Sequence, residues 1–219
     1  TAKLKSSARA GLDMISKNSS FTDISKVYIR INSLDSIYYD DDIQSVIEAY
    51  ANGMNIAGVF IPKVENYSCI KDLNQRFSVV NKKVEIVPMI ETVNGMLNLN
   101  NILEDDKDSN LFKRVHYGHF DYCLDAKIWP FTDPIHSDFW DIIKPIAELI
   151  QSYNKTYIHT PFPFPKDESL FWASSFYIKT LFPSLDIWIC TLNSELSLSK
   201  QPSEIIPLEI VNPDVSKTY

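Results

Sequence analysis

Residues Val84 to Glu91 read VEIVPMIE, and residues Val115 to Asp121 read VHYGHFD. Both are short apolar runs that end in an acid, the pattern of consecutive parallel strands that each deliver a carboxylate where the strand stops. In a β/α barrel the C-terminal ends of the strands carry the chemistry, so two acids on nearby strands point to a divalent metal site. The same residues also read as a helix-capping acid and a turn aspartate.

Working outward, the same kind of run recurs at Lys26 to Asn32 (KVYIRIN), Ile56 to Val64 (IAGVFIPKV), Thr156 to Phe162 (TYIHTPF) and Asp186 to Leu192 (DIWICTL). Between them the apolar spacing turns helical: Ala2 to Ser16, a segment opening on Asp40, Asp41 and Asp42 and running to Tyr50, Tyr67 to Ser78, Phe139 to Tyr153 and Ser169 to Leu181. The three aspartates suit the positive end of a helix and need no further role. Leu97 to Leu103 reads as a short helical return, Glu104 to Asn110 (EDDKDSN) as a solvated loop or helix end, and Ile128 to His136 as a Pro-rich excursion. Six strands alternate with helices, and each strand is nearly continuously apolar, which predicts cover on both faces and a parallel α/β sheet. Periodicity alone leaves barrel and doubly wound sheet open. No strand is followed by GxGxxG or GxxxxGK, which argues against a dinucleotide or P-loop site.

The chain has 219 residues, 45% of them hydrophobic, enough for a sizeable core. A formal net charge of -7 argues against nucleic acid as the main partner. The three widely spaced cysteines, Cys69, Cys123 and Cys190, show no metal-ligand pairing and fit reduced thiols in a cytoplasmic protein. No apolar run approaches the roughly 20 residues needed to span a bilayer, and the N-terminus lacks a signal-peptide core, so no membrane association is expected.

Five strand ends, taken in order, are similar to the HpcH/HpaI aldolase and citrate lyase β-subunit family, in its citrate lyase branch. They are Arg30-Ile31-Asn32 with Leu34-Asp35, Pro62-Lys63-Val64-Glu65, Pro88-Met89-Ile90-Glu91-Thr92, Gly95 to Asn98, and Gly118-His119-Phe120-Asp121 with Asp125 behind it. The resemblance covers residues 2 to 126 well and is looser beyond. It implies a (β/α)8 TIM barrel of the phosphoenolpyruvate/pyruvate type in which Val27 to Asn32 is the third strand. The expectation is that the first two strands are missing from this chain, with residues 1–198 supplying the equivalents of strands 3 to 8 and residues 199–219 an extended tail.

The resemblance also implies a metal-dependent carbon–carbon lyase or aldolase acting on a small hydroxy or oxo acid, or on its coenzyme A thioester. Glu91 and Asp121 match the family's Mg²⁺ ligands, with Mn²⁺ as a substitute, and the chemistry fits: an enolate next to a carbonyl is stabilised by a hard cation held on oxygen. Arg30 would grip a substrate carboxylate through a two-pronged contact, or else sit in a rim salt bridge. Lys63 is a candidate catalytic or supporting charge, or an ordinary strand-end lysine, and Asn32 orders its turn or touches substrate. His116 and His119 flank Gly118 on the same expected strand, and His159 lies near a strand end where it would serve as an acid/base; a hydrogen-bonded structural role is the competing reading for each. The aromatic loop Trp129 to Phe131 either packs on the rim or covers the site. Two other functions stay open: a pyruvate-type aldolase that does not use coenzyme A, and a catalytically degenerate barrel serving as a binding or assembly subunit. Family members are commonly trimers or hexamers, so a homo-oligomer is expected.

Overall fold

The computed structural model describes residues 2–17, 27–80, 84–191 and 201–211. These fall into two compact units, one of residues 1–90 and 94–113, the other of residues 91–93 and 114–219. Lys26 and Leu192 lie outside the described residues, as do residues 199, 200 and 212–219 of the expected tail.

In the first unit, α1 (Ala2–Ser16) precedes β1 (Val27–Arg30), α2 (Tyr39–Ala51), β2 (Ile56–Ile61), α3 (Tyr67–Arg76), β3 (Glu85–Ile90) and α4 (Val93–Asp105). The three strands pair in chain order and in parallel, with Ile29 opposite Val59 and Val59 opposite Ile86. Gly58 in β2 is required by close approach: a Cβ there would lie 2.6 Å from the Tyr28 ring and 2.7 Å from the Glu85 carbonyl. The Tyr28 hydroxyl then donates to Glu85 Oε2 at 3.0 Å, tying β1 to β3 across β2. The core beneath is Val46, Ile56, Val59, Ile70, Leu73, Ile86 and Ile90, each at or below 1% exposure. Burying each such side chain contributes roughly 1.5–3 kcal/mol.

Two expectations change in this unit. Leu97 to Leu103 is no short return, because α4 runs 13 residues. Its four asparagines and Gly95 are poor helix formers, but burial of Leu99, Ile102 and Leu103 overrides that propensity. Asp106, expected in a solvated stretch, is fully buried and accepts hydrogen bonds from Tyr67 Oη (2.9 Å) and the Leu111 amide (2.7 Å). A carboxylate with two donors can stay inside where an unpaired one would cost several kcal/mol.

In the second unit, β4 (Arg114–Tyr117), β5 (Thr156–Phe162) and β6 (Ile187–Thr191) also pair in parallel and in chain order. They are joined by α5 (His119–Asp125), α6 (Ser137–Ser152) and α7 (Glu168–Leu181). The strand expected from Val115 to Asp121 stops at Tyr117, and helix begins at His119. An amphipathic α6 packs Phe139, Trp140, Ile143, Ala147 and Ile150 inward. The tail residues 201–211 form no helix or strand and make one isolated parallel bridge, His136 with Val211. Cover on both faces holds for β2, β3 and β5; β1 and β6, each with one pairing neighbour, are only partly buried. No helix among the described residues is long and apolar enough to cross a membrane.

Candidate active site

Glu91 is the residue immediately after β3 and is 1% exposed. Its side chain lies directly on Gly118, where an added Cβ would stand 2.7 Å from Glu91 Oε2 and 2.8 Å from Glu91 Cβ. Only a residue without a side chain admits the carboxylate there. Gly118 is in turn the residue that precedes α5. The backbone turns from strand to helix at the point where the Glu91 carboxylate rests.

Asp121 is exposed and belongs to the first turn of α5, so it is not a strand-end acid. The physical reason is the break at Gly118 followed by His119, which is 1% exposed and anchored on four sides. The His119 amide donates to Thr160 Oγ1 at 3.2 Å, ring Nε2 donates to the Thr132 carbonyl at 2.9 Å, and the Tyr117 hydroxyl donates to Nδ1 at 3.1 Å. Phe139 packs edge-on at 4.9 Å. Those contacts fix His119 as the first residue of a helix and leave neither ring nitrogen for substrate. Burial lowers its pKa, so the ring is held neutral.

Asp125, at the other end of α5, accepts a hydrogen bond from the Val93 amide at 2.7 Å. Asp121 and Asp125 are four residues apart and share a helix face. Because Asp125 reaches the segment that follows Glu91, the face bearing Asp121 is turned toward that same segment. Glu91 thus meets α5 at Gly118, and Asp121 stands in the first turn of that helix. Two carboxylates of this kind offer hard oxygen donors and leave positions for water and substrate, the donor set Mg²⁺ favours. No group of three or more His, Cys, Asp or Glu suited to a metal occurs among the described residues.

Arg30, Asn32 and Lys63 belong to the first unit. Arg30 is exposed at the end of β1 and lines a cavity of about 160 Å³ with Lys5, Arg9, Asn32 and Asp42. Asn32 is committed locally: its amide donates to Asp42 Oδ2 at 2.9 Å, its side-chain nitrogen donates to the same carboxylate, and its oxygen accepts from Lys5 Nζ. With both ends of its side chain engaged, Asn32 fastens α1 and α2 to the end of β1. Lys63 is exposed, two residues beyond β2, with φ +54°. A lysine in this left-handed region carries backbone strain of order 1 kcal/mol or more, a feature that concentrates at ligand-contacting loops.

His159 and His136 are structural in geometry. His159 is buried, stacks on Trp140 at 6.1 Å and accepts from Tyr157 Oη at 3.2 Å. Burial, reinforced by His119 and His116 nearby, pushes its pKa down to about 3, which removes it as an acid/base near neutrality. Since the unfolded-state value is about 6.5, the unfolded chain takes up a proton that the folded chain refuses. Stability is therefore intact above pH 6.5 and falls by about 1.4 kcal/mol per unit as the pH drops toward 3. Urea unfolding at pH 7 and pH 5 is expected to differ by about 2 kcal/mol from this group, a difference that His159→Phe reduces. His136 pairs with Asp133 at 2.9 Å. In the aromatic loop, Trp129 is 76% exposed and contacts Phe131, which contacts Phe120 of α5.

Parallel β/α units, with Glu91 placed where a strand gives way to the next element, define an α/β scaffold. The model of the HpcH/HpaI aldolase/citrate lyase family matches residues 1–159, and the chain belongs to that family. It is 31% identical over 104 residues to the malyl-CoA/β-methylmalyl-CoA/citramalyl-CoA lyase of Chloroflexus aurantiacus. That match takes in 45% of this chain and 29% of the relative, so the chain spans under a third of the curated protein it matches. Among solved structures it shares the fold of a citrate lyase from Burkholderia xenovorans LB400, with a TM-score of 0.68 at 14% identity over 86% of this chain and 61% of that one. The citrate lyase β subunit of M. tuberculosis, solved with oxaloacetate and magnesium, superposes with a TM-score of 0.57 at 14% identity over 78% and 69% of the two chains.

Proposed function

We propose that this chain is a metal-dependent carbon–carbon lyase that cleaves or forms the bond next to a carbonyl in a small hydroxy or oxo acid, or in its coenzyme A thioester. The observation that carries the reading is the Glu91 carboxylate seated on Gly118 at the mouth of α5, with Asp121 in that helix's first turn. Glu91 and Asp121 would hold Mg²⁺, which when bound supplies positive charge opposite the enolate oxygen that develops during reaction.

Glu91 contributes a carboxylate fixed by burial, so it loses little freedom on binding. Asp121, exposed on a helix, contributes a carboxylate that solvent and substrate can reach. Arg30, through its planar guanidinium, would bind the carboxylate of the substrate. Lys63 would supply a further positive charge near the substrate. Asn32, spent on Lys5 and Asp42, holds the end of β1 in place. The malyl-CoA type lyase among its relatives supports a thioester substrate, and the oxaloacetate and pyruvate in solved neighbours support an oxo acid core.

Incubation with Mg²⁺ and a panel of hydroxy acids and their coenzyme A thioesters tests the reading. Release of an oxo acid and an acyl thioester, abolished by a chelator, is expected. Turnover restricted to free hydroxy-oxo acids would move the assignment to a pyruvate-type aldolase. Metal binding without any turnover would make the chain a binding subunit.

A further inference from the structure

The segment Glu91-Thr92-Val93 meets α5 at two places. At one end of the helix the Glu91 side chain rests on Gly118, and at the other the Val93 amide donates to Asp125 Oδ2 at 2.7 Å. Between these contacts, one turn before Asp125 and on the same face, stands Asp121. A helix of seven residues is only about 10 Å long, so two contacts leave the segment little room to slide or tilt. Asp125 itself makes no third metal-competent acid with Glu91 and Asp121 among the described residues.

Resting on the metal-dependent reading above, we propose that Asp125 is a positioning residue: its hydrogen bond to Val93 sets the separation of Glu91 from Asp121 and thereby the affinity for the divalent cation. Asp125 touches neither metal nor substrate. It acts through the backbone two residues beyond Glu91, while Gly118 acts through the Glu91 side chain. The carboxylate is exposed, so its energetic weight in folding is small, yet a displacement of the Glu91 segment by a fraction of an ångström is enough to spoil a Mg²⁺ site that demands near-ideal octahedral geometry.

Three variants of the full chain separate this role from charge and from stability. Asp125→Ala removes the acceptor, Asp125→Asn keeps an acceptor oxygen without the charge, and Val93→Pro removes the donor at the first position of α4, where proline suits a helix. Mn²⁺ binding followed by electron paramagnetic resonance is expected to weaken about 10- to 100-fold in Asp125→Ala and Val93→Pro and to stay within about threefold of wild type in Asp125→Asn. The melting temperature, read in parallel, is expected to move little in all three. Wild-type affinity in either Asp125→Ala or Val93→Pro overturns the inference while leaving the metal site standing. Asn as weak as Ala would make the effect one of charge and also overturn it. Failure of the wild-type chain to bind Mn²⁺ at all sinks the metal-dependent reading itself, and the positioning role with it.

Discussion

Glu91→Gln is expected to abolish metal-dependent turnover, lowering kcat/KM by about 10³-fold or more while the chain remains folded. The substitution keeps the shape of the side chain and its seat on Gly118, so packing is preserved. What it removes is the charge and one hard anionic donor. A metal that stabilises a developing enolate contributes several kcal/mol to the transition state, and about 1.4 kcal/mol corresponds to each tenfold of rate. Isothermal titration with Mg²⁺ and Mn²⁺, with circular dichroism as the control on folding, checks it. Wild-type metal affinity in the glutamine variant would show that Glu91 is not a ligand. Asp121→Asn should give a loss of the same kind, with less effect on stability because the residue is exposed.

Gly118→Ala is the second change with a large expected effect. Its φ of −101° is open to any residue, so the cost is purely steric. The new methyl would sit 2.7 Å from Glu91 Oε2 and 2.8 Å from Glu91 Cβ, well inside van der Waals contact. Either the carboxylate swings away or the start of α5 moves, and both separate the two acids. A destabilisation of about 1–3 kcal/mol is expected, seen as a lower midpoint in urea, together with a 10- to 100-fold loss of metal affinity. Combining Gly118→Ala with Glu91→Gly removes the clash, so the double variant should be more stable than the sum of the two single changes by over about 1 kcal/mol. Additive losses would mean that Glu91 does not rest on Gly118 in solution.

How much of this was legible in the sequence varies by residue. Ala2–Ser16 and Thr156–Phe162 have the bounds their apolar spacing predicts, because a helix or strand with one strong periodicity has no competing local solution. α4 was underestimated, since four asparagines and a glycine lower helix propensity and only the buried row of Leu99, Ile102 and Leu103 restores it. The acid of Asp106 looked solvated because nothing local marks its two donors, Tyr67 and Leu111, the first of them 39 residues away. Asn32 was a substrate candidate in the sequence, yet Lys5 and Asp42 claim both ends of its side chain.

The order of parallel β/α units and the family were determined by the sequence alone, because apolar periodicity and short motifs are local properties. The seat of Glu91 on Gly118 and the start of α5 were decided by the tertiary structure. VHYGHFD satisfies a strand pattern to its end, and nothing within it says that the chain turns at Gly118. That turn exists because Thr160 on β5 and Thr132 in the Pro-rich loop hold His119 in a helix start, while Glu91 from the preceding strand occupies the space a Cβ at 118 would need. Hydrogen bonds and close contacts between residues 13 to 41 positions apart set the geometry of the site, and such distances carry no signature in the spacing of a single chain.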